Sequence, residues 1–209
     1  MTARIHPTAI IEAGVHIGVD TAVWDHVHIR ERAWIGDQCI VGEKAHIAYD
    51  VRIGHRVKIG AFVYVCTGVT IEDGVMLAAR VTFTNDRYPR AATPDLQHLL
   101  SSAPTDRTLA TVVRRGATIG AAAVIGPGVE VGAFAMVGMG AVVSRPVAPF
   151  HLVVGNPARS IAALCRCGDP FHRFADGGAD HTPLTGVPCA RCGRGYDIVR
   201  GVVREHTAE

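Results

Sequence analysis

The stretch Ile29-Arg30-Glu31-Arg32-Ala33-Trp34-Ile35-Gly36-Asp37-Gln38-Cys39-Ile40-Val41-Gly42-Glu43-Lys44-Ala45-His46-Ile47 decides the fold. Every sixth residue in it is aliphatic: Ile29, Ile35, Val41 and Ile47. Four places after each aliphatic comes a small or β-branched side chain, as at Ala33, Cys39, Ala45 and Val51. Stepping back by six gives Val23, Ile17, Ile11 and Ile5, and stepping forward gives Ile53, Ile59, Val65, Ile71, Leu77 and Phe83. The period resumes at Val113, Ile119, Ile125, Val131, Val137 and Val143. Gly often follows the aliphatic, at 18, 36, 42, 54, 60, 120, 126, 132 and 138.

A repeat of this length reads as one short strand plus one turn per hexad. Three hexads close a triangular coil, and coils stack at the parallel-strand spacing of about 4.8 Å. The large aliphatic fills the interior and the small residue fits beside it. The Gly after the aliphatic is expected to supply an unusual turn backbone. The fold class is therefore all-β, a parallel β-helix. The chain has 48% hydrophobic but only 6% aromatic residues, and 23 Gly. That mixture suits a solenoid filled with Val, Ile and Ala.

Other classes are disfavoured. A formal net charge of +2 gives no pull toward nucleic acid or membrane. No apolar run approaches the roughly 18 residues of a membrane span. Met1 to Pro7 lacks a basic region followed by an apolar stretch, so no secretory signal and a cytoplasmic location are expected. In that setting the 6 Cys are expected as thiols or metal ligands.

The period fails between Thr84 and about Val112. A solenoid accepts an insertion as a loop leaving one corner, and long loops on rigid scaffolds tend to carry function. The loop opens with Phe83-Thr84-Asn85-Asp86-Arg87-Tyr88-Pro89-Arg90. Near the start, Val23-Trp24-Asp25-His26-Val27-His28-Ile29-Arg30-Glu31 is a second distinctive segment.

These segments and the hexad period resemble the hexapeptide-repeat acyltransferases, and more narrowly the N-acetyltransferases of UDP-2-acetamido-3-amino-2,3-dideoxyglucuronate and dTDP-3-amino sugars. The resemblance covers about residues 1–160 and implies a left-handed prism and a homotrimer with active sites in the clefts between subunits. In the second segment Trp24 and His28 match the family pattern Trp-His-Phe-x-His, while Asp25 and His26 replace its first His and its Phe. The activity implied is transfer of acetyl from acetyl-CoA to the 3-amino group of a nucleotide-linked amino sugar.

That chemistry needs a neutral amine held near an already activated thioester, with the oxyanion stabilised. An amino sugar is a weak enough base that a strong general base is optional. The family motif places Asn85 at the attacking amine, with Asp86 second. His28, Arg30 and Glu31, and the loop cations Arg87 and Arg90, are candidates for substrate contacts, Arg through its planar fork. Gly138, Gly140 and Ala141 resemble the coenzyme-facing coil, where backbone amides are expected to reach pantetheine. Asn156, Pro157 and Arg159 resemble the closing motif near the adenosine end. A hydroxyl acceptor or a longer acyl chain on the same scaffold is an alternative, as is a solenoid without catalysis.

Past residue 160, Cys165-Arg166-Cys167-Gly168 and Cys189-Ala190-Arg191-Cys192-Gly193 form paired knuckles. Four thiolates from two such turns suit a closed, structural tetrahedral Zn²⁺. Residues 161–209 are thus expected as a zinc-ribbon-like module. Cys39 and Cys66 fall in repeat positions and read as packing residues.

Overall fold

The computed structural model describes residues 2–175 and 183–206, all-β and with no helix among them, so none is long and apolar enough to cross a membrane. Strands of two or three residues wind through three parallel sheets. The first runs from Arg4–Ile5 through Ile40–Val41 and Met76–Leu77 to Met136–Val137. The second holds Ile10–Ile11, His28–Ile29, His46–Ile47, Tyr64–Val65, Thr82–Phe83, Val124–Ile125 and Val142–Val143. The third runs from His16–Ile17 to Glu130–Val131. Partners in neighbouring coils are 18 residues apart, as in His28↔His46 and Ile29↔Ile47, which is three hexads per coil.

The hexad aliphatics and the small residues beside them form one core. Ile29, Ile35, Ile47, Ile53 and Leu77 are fully buried, with Val27, Val51 and Ala117 between them. Burying each such side chain contributes roughly 1.5–3 kcal/mol. The first coil is open: Ile5 is 43% exposed, and Ile11 and Ile17 are only half-buried.

The glycines act differently from the expectation. The left-handed backbone falls two residues past the post-aliphatic Gly, at non-glycine residues such as Asp20 (φ 58°), Lys44 (φ 57°) and Phe62 (φ 58°), and at a second glycine only after Gly126 and Gly138 (Gly128, φ 72°; Gly140, φ 66°). The post-aliphatic Gly is required by close approach instead. A Cβ on Gly60 would lie 2.7 Å from Ala79 N, and one on Gly132 would lie 2.4 Å from Pro149 N.

The insertion is slightly shorter than expected, running from Thr84 to Ala110. Thr111–Val113 is already a strand, pairing with Val69–Ile71. The loop base is pinched by an antiparallel bridge between Asp86 and Thr108 and by Leu109 N–H donating to the Asn85 carbonyl at 3.0 Å.

The expected boundary at residue 160 falls inside the strand Arg159–Leu164, which pairs antiparallel with His151–Val154 and with Pro170–Arg173, so the first sheet continues past the coils. Beyond it, Leu184–Pro188, Gly195–Val199 and Val202–Glu205 form a separate antiparallel sheet. Residues 176–182 and 207–209 of the expected tail lie outside the described residues.

Candidate active site

The coil register stacks the distinctive residues along one corner, between the second and third sheets. Arg30 and Glu31, Ala48 and Tyr49, Cys66 and Thr67, and Thr84 and Asn85 follow strands that pair in succession. His28, Arg30 and Glu31 therefore share a ridge with Asn85, three coils away, about 14 Å at the usual strand spacing.

Asn85 is half-buried, and its Nδ2 donates to the Thr67 carbonyl one coil below at 3.2 Å. That bond fixes which way the amide points and leaves Oδ1 as its acceptor. Asp86 turns back on its own loop, its Oδ1 accepting from Tyr88 N–H at 3.2 Å. Asp86 and Arg90 line a cavity of about 410 Å³ with Tyr88, Thr105 and Arg107. Arg87 is exposed, and the Arg90 guanidinium donates to the Pro89 carbonyl.

At the other end of the ridge His28 Nε2 lies 2.6 Å from Glu12 Oε1, and its ring meets His46 edge-on at 5.1 Å between centroids. Burial, then the neighbouring His28, lowers the pKa of His46. The Arg30 guanidinium sits 5.2 Å from the Tyr49 ring centre and 3.3 Å from Glu31 Oε2. A side-chain hydrogen bond with Glu31, then one with His28, holds the Glu12 carboxyl down at about 2. Sequence reading missed Glu12 and Thr67. Their signal is the coil spacing of 18 that separates Glu12 from Arg30 and Thr67 from Asn85.

Gly138, Gly140 and Ala141 form the corner between the first and second sheets in the last full coil. Their amides are engaged: Gly138 N–H donates to Val153, Gly140 N–H to Ala121 and Ala141 N–H to Gly138. The Ala141 methyl is fully buried. This corner offers close approach to an exposed backbone at Gly140, not three free donors. Asn156 and Pro157 form an exposed turn joined by a cis peptide. Arg159 is exposed beside a cavity of about 160 Å³ lined by Ser144, Arg145, Pro146 and Ser160.

Two sequence models match within the coils. Residues 50–85 match the bacterial transferase hexapeptide (six repeats), and 115–145 match the hexapeptide repeat of succinyl-transferase. Along 98% of its length the chain is 37% identical to dTDP-3-amino-3,6-dideoxy-alpha-D-galactopyranose 3-N-acetyltransferase of Aneurinibacillus thermoaerophilus, covering 95% of that protein. The chain belongs to the hexapeptide-repeat acyltransferases. Among solved acyltransferase structures, AntD from Bacillus cereus, in complex with dTDP and 3-hydroxybutyryl-CoA, shares the fold. It is 20% identical, with a TM-score of 0.54 over 79% of this chain and 81% of AntD. PerB from Caulobacter crescentus, in complex with CoA and GDP-perosamine, is 26% identical with a TM-score of 0.42, covering 77% of this chain; the match spans 57% of PerB.

In this acyltransferase the C-terminal cysteines converge as the sequence pattern required. The sulfurs of Cys165, Cys167, Cys189 and Cys192 all lie within 4.8 Å of one another. Cys165 and Cys192 are 3.3 Å apart, and Cys167 and Cys189 3.7 Å. Four thiolates at about 2.3 Å from one tetrahedral zinc would lie about 3.8 Å apart, so the set fits. Tyr196 O–H donates to Cys165 Sγ at 3.1 Å and accepts Arg166 N–H at 2.9 Å, which adds a second layer of order. Cys39 and Cys66 are buried in the coils, as their repeat positions indicated, and burial pushes the Cys66 thiol up to about 11.

Proposed function

We propose that the protein moves acetyl from acetyl-CoA to the 3-amino group of a nucleotide-linked amino sugar. The observation that carries this reading is Asn85: Thr67 holds its Nδ2, and Oδ1 remains to receive an amine hydrogen. The identity with a dTDP-3-amino sugar acetyltransferase over nearly the whole chain supports the acceptor class.

Oδ1 of Asn85 accepts one hydrogen of the neutral amine and aims its lone pair at the thioester carbonyl. The nitrogen–carbon bond forms, the carbon–sulfur bond breaks, and the amine proton leaves with the coenzyme thiolate. His28 sits about 14 Å along the ridge from Asn85, too far to be its base in the same subunit. His28, Arg30 and Glu31 then serve the nucleotide end, with Asp86, Arg87 and Arg90 on the sugar side. The coenzyme runs by the Gly138–Ala141 corner toward Asn156, Pro157 and Arg159, in a left-handed prism that works as a homotrimer in the cytoplasm. The cysteine set would be held by a structural Zn²⁺, which supplies cross-linking and no chemistry.

Thiol release from acetyl-CoA, followed with a panel of UDP- and dTDP-linked 3-amino and 4-amino sugars, tests the reading. Turnover with a 3-amino sugar and an N-acetyl product is the expected result. Turnover only with a hydroxyl acceptor, or none while acetyl-CoA binds, would overturn it.

A further inference from the structure

Glu12 closes the first coil, on the corner that carries the substrate residues one coil on. Its carboxylate reaches three groups of the next coil: the His28 ring, the Arg30 guanidinium and the Glu31 backbone. Oε1 lies 2.6 Å from His28 Nε2 and 3.4 Å from Arg30 Nε. Oε2 accepts the Glu31 backbone N–H at 3.1 Å and lies 3.5 Å from Arg30 Nε. Arg30, still partly exposed, is flanked by Glu12, by Glu31 and by the Tyr49 ring. Glu31 Oε2 is buried and makes no hydrogen bond.

These contacts do little for the core. The coil that carries Glu12 is the open one, with Ile5 43% and Ile10 58% exposed. What Glu12 fixes is direction. A His28 ring that donates Nε2–H to the Glu12 carboxylate has its plane fixed, with Nδ1 left for a ligand. Arg30 is left with a fixed plane, and a planar fork held in place loses less freedom on binding an anion.

We infer that Glu12 is a positioning residue for the nucleotide half of the acceptor. It sets the His28 ring and the Arg30 fork so that they meet a nucleoside diphosphate whose sugar amine lies at Asn85. This rests on the reading of the ridge as the acceptor site.

The test compares wild type, Glu12→Gln and Glu12→Ala in three measurements: steady-state kinetics with the amino sugar nucleotide that wild type turns over, calorimetric binding of dTDP and UDP, and thermal unfolding. Glu12→Ala is expected to raise the acceptor KM and the nucleotide Kd about tenfold or more, while kcat and the acetyl-CoA KM stay within about threefold. Glu12→Gln keeps the acceptor for Glu31 N–H and is expected to fall between, at an unfolding midpoint close to wild type. If Glu12→Ala does not fold, Glu12→Gln decides alone. Unchanged acceptor KM in the folded variants, or parallel losses in acceptor KM, acetyl-CoA KM and stability, would overturn the inference. A wild type that acetylates no amino sugar nucleotide would instead sink the reading beneath it.

Discussion

Gly60 shows how a residue can be legible while its reason is not. The sequence marks it as the glycine after a hexad aliphatic, and a turn conformation is the natural reading. The φ values place the left-handed residue elsewhere, and the neighbouring coil at Ala78 and Ala79 is what excludes a side chain. Gly60→Ala is therefore expected to cost about 1–3 kcal/mol by overpacking, measured by denaturant unfolding. Gly140 (φ +66°) has open space around it. Gly140→Ala should cost only the left-handed backbone penalty of about 1 kcal/mol. His151 is a residue with no sequence signal at all. Its ring is buried, with Nδ1 2.9 Å from Ser160 Oγ and Nε2 2.8 Å from the Gly201 carbonyl, joining the last coil to the tail. Burial lowers its pKa, so the unfolded chain takes up a proton near pH 6.5 before the folded one does. The stability from the neutral ring is complete above about pH 6.5 and declines as pH falls below it. Thermal midpoints recorded from pH 8 to pH 5 should fall in that lower range, and His151→Gln should flatten the fall.

At the scale of elements, the coils were readable because one hexad both repeats and pairs with its copy 18 residues on. The seam after the coils was not. Antiparallel pairing of His151–Val154 with Arg159–Leu164 has no period, and its register shifts between Leu152 and Val153. The cysteine knuckles were readable because ligand type and spacing alone carry the chemistry. The tail has a small core of its own, with Tyr196, Ile198 and Cys189 buried and Phe150 and Phe171 packed against them. A core that small would lean on the Zn²⁺ proposed for the four cysteines. Removing zinc with a chelator should lower the unfolding midpoint and speed proteolysis beyond Leu164, while the coil strands keep their amide protection. Equal stability with and without chelator would contradict a structural metal. The loop shows the opposite mix. Asn85 is a candidate by its motif alone, whereas the bond that orients it depends on the coil below and appears only once the register is known.

Across the whole molecule, stability and function are distributed along the stack differently. A middle coil is sealed on both sides: Ile59 is 2% exposed, against 43% for Ile5. Ile59→Ala should cost about 2–5 kcal/mol and Ile5→Ala under about 1 kcal/mol, measured by chemical denaturation. The candidate site runs along one corner from Glu12 in the open coil to Asn85 beside the loop, so an extended acceptor can be read by several coils at once. The most direct test of that arrangement is kcat/KM for the amino sugar nucleotide in Asn85→Ala, with folding checked by circular dichroism. The arrangement predicts a loss of about a hundredfold or more, carried by kcat, with acetyl-CoA affinity intact. A folded Asn85→Ala that keeps kcat within about threefold of wild type would contradict it.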